Sequence, residues 1–451
     1  MDVNTLSIIE LDRIAYEVLE LYGRLSNQEI VERLKCRHKR NDLKETIYEI
    51  KALQEQGLIT AQQVEDMTMD GIPAQELSSI TLHVISGCNL RCRYCFGQDG
   101  TYGMKSVKMD RRIARKAVDL LFRQSGRRAR LHVVFFGGEP MLNMPLIEDV
   151  VKYSAGIARE QKKTVSFSIT TNATLLDDHS IQYLNDHKIG VLVSMDGPRE
   201  VQDSLRCFAN GNGSYERVIQ GLRKFIDSRK GKVSVRATVT KLNTGIREIH
   251  DHFGNIGFGR AHFVPVDIPG GSELSLNGGD FQKVEREFRK ISRANLRAAS
   301  GKHGIVLGNL RDVVERLHQR KKRLLGCGLA SGFAAICPVG NIYPCHRFVG
   351  MEQFIIGDIE SGIDPERRQN FLKRVLGHVS ENCGSCWLRF LCAGGCLKEA
   401  MDESGDFVQR DENYCRLIKT LYQLGIVFYA RFQKDARVQS GGKKTGDRKT
   451  R

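Results

Sequence analysis

The sequence predicts an α/β protein built on parallel strand–helix units. From Ser79 to about residue 300, short apolar strands alternate with helical stretches. Three clustered cysteines, Cys88, Cys92 and Cys95, follow the first of those strands. Past about residue 300 the alternation stops, and eight of the 13 cysteines accumulate there. The 451-residue chain thus divides into a helical module (1–77), a core (78–300), a cysteine-rich domain (301–433) and a basic tail (434–451).

Residues 8–59 read as a small helical unit. Ile14, Val18 and Leu21 suit one helix face. Ser26-Asn27-Gln28-Glu29 is a capping-box pattern ahead of Ile30 and Val31. A third helix from about Leu43 carries Ile47, Ile50 and Leu53 and stops at Gly57. Leu58-Ile59-Thr60 is a candidate short strand or wing. Three helices and a wing resemble the winged-helix modules that grip leader peptides in ribosomal-peptide-modifying enzymes. The same shape also binds DNA, and a purely structural cap is the plain alternative. A linker at 66–77, with Gly71 and Pro73, closes the unit.

In the core, strands are expected at 80–85, 132–136, 165–169, 191–195, 233–239 and 261–266. Helices fall between them, notably at 111–122 and 215–227. Barrels of such units place their chemistry on loops at the C-terminal ends of the strands. The first such loop reads Cys88-Asn89-Leu90-Arg91-Cys92-Arg93-Tyr94-Cys95. A 4Fe–4S cluster normally takes four thiolates. Three clustered thiolates leave one iron free to bind a substrate or cofactor. Zinc sites usually pair Cys-x2-Cys with a second pair, and none stands beside this run; zinc or plain buried thiols are the alternatives.

This spacing, with Tyr94 before the third cysteine, resembles the radical S-adenosylmethionine (SAM) superfamily. The resemblance implies a partial (β/α)6 barrel and a cluster on Cys88, Cys92 and Cys95 whose open iron is chelated by SAM. It implies reductive cleavage of SAM to methionine and a 5′-deoxyadenosyl radical that abstracts hydrogen. Phe136-Gly137-Gly138-Glu139-Pro140 matches the family's GGEP loop, which contacts the methionine amino group. Thr170-Thr171-Asn172-Ala173 resembles its TTNG-like segment, with Ala in place of Gly. Ser194 and Asp196, at the end of another strand, are placed to meet polar groups of SAM. Arg206 and Arg236 are candidates for a carboxylate clamp, since Arg forks suit carboxylates. Family members often carry His-Asp-x-x-Arg; here Gln202 stands in place of the His.

Cys383-x2-Cys386-x5-Cys392-x3-Cys396, followed by Cys415, is a dense metal signature; Cys327 and Cys345 stand upstream. Together they resemble SPASM domains, which carry two auxiliary 4Fe–4S clusters. By that resemblance Cys327, Cys345 and Cys396 bind the first, and Cys383, Cys386, Cys392 and Cys415 the second. Three clusters in all are expected. Cys337 is either a further ligand of the first auxiliary cluster or a buried strand cysteine. Zinc is the alternative for Cys383, Cys386 and Cys392 taken alone.

SPASM enzymes mostly modify peptides or proteins. In the sulfatase maturases an Asp follows the Cys345 equivalent as base; here His346 stands there. The segments around Cys345 and Cys383–Cys396 look instead like thioether-forming peptide maturases, including the quinohemoprotein amine dehydrogenase maturation family. The implied reaction is hydrogen abstraction from a bound peptide, attack by a substrate Cys and transfer of the surplus electron to an auxiliary cluster. His346 is the candidate proton acceptor. Carbon–carbon cyclophane formation and residue oxidation use the same machinery. A non-enzymatic iron–sulfur transcription regulator is the reading from another class.

The implied partners are a precursor peptide or small protein and a flavodoxin- or ferredoxin-type reductant. The net charge is +16. The tail contributes seven Lys or Arg against two Asp, hence +5, and reads as disordered. Steering of an acidic peptide ranks above nucleic acid as an account of this charge. No apolar run approaches the roughly 20 residues of a membrane span. No signal peptide is visible, so a cytoplasmic protein is expected, with its cysteines serving as metal ligands rather than disulfides.

Overall fold

Six parallel strands lie side by side in chain order. They are β1 (Ser79–Ser86), β2 (Arg130–Gly137), β3 (Thr164–Thr171), β4 (Gly190–Ser194), β5 (Ser234–Val239) and β6 (Arg260–Pro265). All six expected strands are present in this computed structural model. It describes residues 1–60, 76–298, 305–402 and 404–441. Most of the linker expected at 66–77, and the boundary at 300, lie outside the described residues.

Strand patterning positions the site. Along β2, Leu131, Val133 and Phe135 are buried, while Val134 and Phe136 between them are half-buried. Period-two alternation turns the two sets to opposite faces. Phe135 stacks on Phe167 of β3 with ring centroids 6.0 Å apart, in the main core. Phe136 lines the central cavity. Helices α4 (Arg111–Arg123), α5 (Met144–Glu160) and α6 (Asp178–Asp186) return the chain between the first four strands. The return from β4 to β5 uses α7 (Arg199–Leu205) and α8 (Tyr215–Ser228), and α9 (Ile246–Ile256) leads to β6.

The cysteine-rich region shares this sheet. After α10 (Gly278–Ala298), β7 (Val306–Leu307) pairs with β6. Beyond α11 (Gly308–Gln319), β8 (Phe333–Ile336) pairs in parallel with the other edge of the barrel, β1. Strands β9 (Asn341–Tyr343), β10 (Gly357–Asp358) and β11 (Gly362–Ile363) continue it antiparallel. The expected separate domain is therefore joined to the barrel by backbone hydrogen bonds. Helices α12 (Pro365–Cys383) and α13 (Glu412–Gly441) complete it. Helix α13 runs past residue 434, where a disordered tail was expected. No Gly or Pro interrupts 434–440, which lets the helix continue; residues 442–451 lie outside the described residues.

The N-terminal helices fall where the sequence places them: α1 (Arg13–Leu21), α2 (Asn27–Leu34) and α3 (Arg40–Glu55). Val18, Ile30, Leu34, Leu43 and Ile50 form their small core. The capping box forms, with Ser26 N donating to Glu29 Oε2 at 2.8 Å and Glu29 N to Ser26 Oγ at 3.3 Å. The expected wing at 58–60 does not form a strand. That backbone is engaged by the N-terminal turn instead: Thr5 Oγ1 donates to Leu58 O at 2.8 Å, and Thr60 N to Asp2 Oδ2 at 3.2 Å. Among the described residues no helix is long and apolar enough to cross a membrane.

Candidate active site

A cavity opens at the C-terminal ends of the barrel strands. Cys88, Cys92, Tyr94 and Cys95 line it from the loop after β1, and Gly137 and Gly138 from the end of β2. Thr171 and Asn172 enter from β3, Ser194 from β4, Arg206 from beyond α7, Arg236 from β5 and His346 from the cysteine-rich region. The two glycines allow backbone to pack on backbone. A Cβ on Gly138 would lie 1.9 Å from Gly87 O and 2.9 Å from Cys88 N. Gly137 takes φ +136°, and a Cβ there would meet Ile85 O at 2.3 Å.

Glu139, Pro140 and Asp196 stand behind this wall. The buried Glu139 carboxylate accepts Thr171 Oγ1–H at 2.7 Å, Asn172 N–H at 2.7 Å and Met141 N–H at 3.1 Å. Burial pushes its pKa up to about 6 against the pull of those donors. Pro140 opens the short helical turn Pro140–Asn143 ahead of α5. Asp196 accepts the Tyr94 hydroxyl and Thr238 N–H at 3.0 Å. Arg206 Nη1 donates to the same Tyr94 oxygen at 2.7 Å and lies 4.0 Å from Asp196. Burial raises the Asp196 pKa, and Arg206 opposes that rise. Gln202 accepts Asp196 N–H at 3.0 Å and donates to Ser214 Oγ at 2.9 Å. A neutral side chain therefore holds the Asp196 backbone, at the position where the resemblance leads to a His.

The residues fit the implied cluster. Leu90 N–H points at Cys88 Sγ at 3.4 Å and Asn172 Nδ2 at 3.7 Å, donors that suit a thiolate. Burial lifts Cys88 to about 11 and Cys92 to about 12, a cost of ionisation that binding to a metal cation offsets. Among the described residues, no three His, Cys, Asp or Glu side chains are arranged to hold a single metal ion. The cysteines ring voids instead of converging on a point. Arg206 Nε is buried without a hydrogen-bond partner, and Arg236 forms no ion pair among the described residues; both line the cavity, ready for an anionic ligand.

Seven of the other ten cysteines gather in two further cavities. Cys327, Cys345 and Cys396 line one, together with Cys392 and with Arg236, His346 and Arg347, which it shares with the first cavity. Cys383, Cys386, Cys392 and Cys415 line the other. Cys337 is fully buried just past β8 and lines none of the three. His346 is buried beside Phe136, centroids 4.7 Å apart, with Nδ1 3.5 Å from Cys345 Sγ. Burial, with the neighbouring His83, Arg347 and Arg236, drives its pKa well below the ordinary value, which makes the imidazole a weak base. Sequence reasoning missed Thr238, Asp267 and Arg347 in the first cavity. No local motif marks them, because their partners lie far along the chain.

Residues 82–252 match the Radical SAM superfamily. A cysteine-type anaerobic sulfatase-maturating enzyme of Clostridium novyi is 26% identical over 386 residues, covering 78% of this chain and 96% of the relative. The radical SAM cyclopropyl synthase TigE of Paramaledivibacter caminithermalis is 23% identical over 368 residues, covering 77% of this chain and 73% of its own. Among solved structures, anSMEcpe with bound AdoMet shares the fold with TM-score 0.67 at 20% identity, covering 78% of this chain and 98% of that one. Streptococcus suis SuiB bound to the precursor peptide SuiA does so with TM-score 0.53 at 16% identity, covering 90% and 93%. Residues 82–252 thus carry a radical SAM domain, and the protein is an enzyme.

Proposed function

We propose that the protein modifies a peptide or small protein, holds three 4Fe–4S clusters, and forms Cys thioether cross-links. One observation carries this reading. Ten cysteines distribute over three cavities, and the first two share a wall made of Arg236, Val264, His346 and Arg347. A site for hydrogen abstraction thus adjoins a site for electron storage. When bound, SAM and the first cluster supply a hydrogen-abstracting radical, and the auxiliary clusters supply a destination for the electron released.

The protein's own residues orient and insulate. Glu139 braces the Gly137–Gly138 loop against Asn172, so the cysteine loop and the SAM-facing strand ends hold one geometry. Arg206 and Arg236 offer guanidinium groups to carboxylates. His346, on the shared wall, is placed to take the proton of a substrate thiol. The sulfatase-maturating relatives favour a second reading, oxidation at a single residue. The experiment is anaerobic incubation with SAM, reductant and peptides encoded beside this protein's gene, followed by fragmentation mass spectrometry. Loss of two hydrogens with a cross-link between a Cys and a second residue supports the thioether reading. A changed residue without a cross-link supports the second.

A further inference from the structure

The side chain of Arg347 joins three parts of the molecule. Its Nη2 pairs with Asp267 Oδ2 at 2.5 Å, just beyond β6. Its Nη1 pairs with Glu399 Oε1 at 2.7 Å and points at Cys396 Sγ at 3.6 Å. Its backbone N–H points at Cys345 Sγ at 3.5 Å. The guanidinium also lies over the ring of Phe96, 4.8 Å from the centroid, and Phe96 directly follows Cys95. Glu399 is held from its other side by Arg410 at 3.2 Å. The guanidinium of this one residue therefore touches the loop of the first cluster site and the Cys396 thiol of the adjoining one, while its backbone N–H points at Cys345.

We propose that Arg347 sets the reduction potential of the first auxiliary cluster, acting as a positioning and electrostatic residue through Cys345 and Cys396. This rests on the reading that a 4Fe–4S cluster occupies that cavity. N–H···S hydrogen bonds and nearby positive charge stabilise the more negative, reduced state, and so raise the potential. Asp267 and Glu399 moderate the same field with negative charge. Arg347 thus tunes how readily the cluster takes one electron.

The test is an EPR-monitored titration of the fully loaded protein with dithionite as electron donor, on wild type, Arg347→Gln, Arg347→Lys and Asp267→Asn. Arg347→Gln should lower the auxiliary midpoint by about a tenfold change in the reduction equilibrium, ~59 mV for one electron. Arg347→Lys, which keeps the charge but loses the fork, should fall between. Asp267→Asn should move the midpoint the opposite way, and the potential of the cluster on Cys88, Cys92 and Cys95, whose thiols take no hydrogen bond from Arg347, should shift by less than that of the auxiliary cluster throughout. If Arg347→Gln fails to hold iron, the opposite-signed shift in Asp267→Asn still decides. Unmoved auxiliary potentials with all clusters bound overturn the proposal alone. A wild-type protein holding a single cluster overturns both the proposal and the reading beneath it.

Discussion

Glu139 accepts the backbone N–H of Asn172 at 2.7 Å, and that contact ties the Gly137–Gly138 loop to the end of the next strand. One carboxylate oxygen takes Asn172 N–H while the other takes Thr171 Oγ1–H and Met141 N–H. A Gln at this position sets its own N–H2 against one of these donors. We expect Glu139→Gln to cost about 1–3 kcal/mol in chemical denaturation at pH 7. The cost depends on pH. Burial holds the Glu139 pKa at about 6, above the ordinary 4.5. The unfolded chain therefore loses this proton first as pH rises, and the group removes up to about 2 kcal/mol of stability between pH 4.5 and 6. The stability gap between wild type and Glu139→Gln should narrow across that window. A gap that widens contradicts the assignment.

Gly138→Ala should displace the cysteine loop, because the new methyl would strike Gly87 and Cys88 backbone atoms. The expected result is loss of SAM cleavage and of roughly four irons of about twelve, with the auxiliary clusters retained. A methyl added at Gly156, inside α5, would meet nothing within 4 Å. Gly156→Ala should keep all iron and gain about 0.5–1 kcal/mol. Equal behaviour of the two variants in iron analysis would refute the steric argument.

Cys337→Ala should leave the iron content unchanged, since Cys337 faces none of the three cavities. Cys345→Ala should lose the first auxiliary cluster while SAM cleavage persists. Iron loss in Cys337→Ala would make it a ligand.

The cysteine motifs were legible because their spacing is local. Cys88–Cys95 and Cys383–Cys396 are compact runs, whereas Cys327, Cys345 and Cys415 stand apart and were reached only through the resemblance; the six strands announce themselves by alternation. Gln202 shows what local reading misses. It departs from the family's His, yet it occupies a buried hydrogen-bonding position between Asp196 and Ser214. Arg347 was illegible for a different reason: its partners Asp267 and Glu399 lie 80 and 52 residues away. The wing at 58–60 failed because an apolar triplet says nothing about which backbone it will meet. The N-terminal turn, from Asp2 and Thr5, takes its hydrogen bonds.

We propose Arg206, of the two guanidinium groups, as the SAM contact, because its Nη1 is anchored on Tyr94 while its buried Nε has no hydrogen-bond partner. Charge-assisted hydrogen bonds contribute about 1.5–3 kcal/mol. Arg206→Gln should therefore weaken SAM binding about 10- to 100-fold in equilibrium dialysis, with iron content intact. Tyr94→Phe, which frees the guanidinium, should have a smaller effect. Wild-type affinity in Arg206→Gln would move the clamp to Arg236.

The central claim is a SAM-cleaving site set beside two auxiliary clusters. Its most direct test is anaerobic reconstitution followed by iron and sulfide analysis, while 5′-deoxyadenosine is followed by chromatography after reduction in the presence of SAM. The account predicts about twelve irons, three clusters of four, together with deoxyadenosine that disappears in Cys95→Ala while about eight irons remain. Bound metal without deoxyadenosine, or deoxyadenosine that persists in Cys95→Ala, would contradict it.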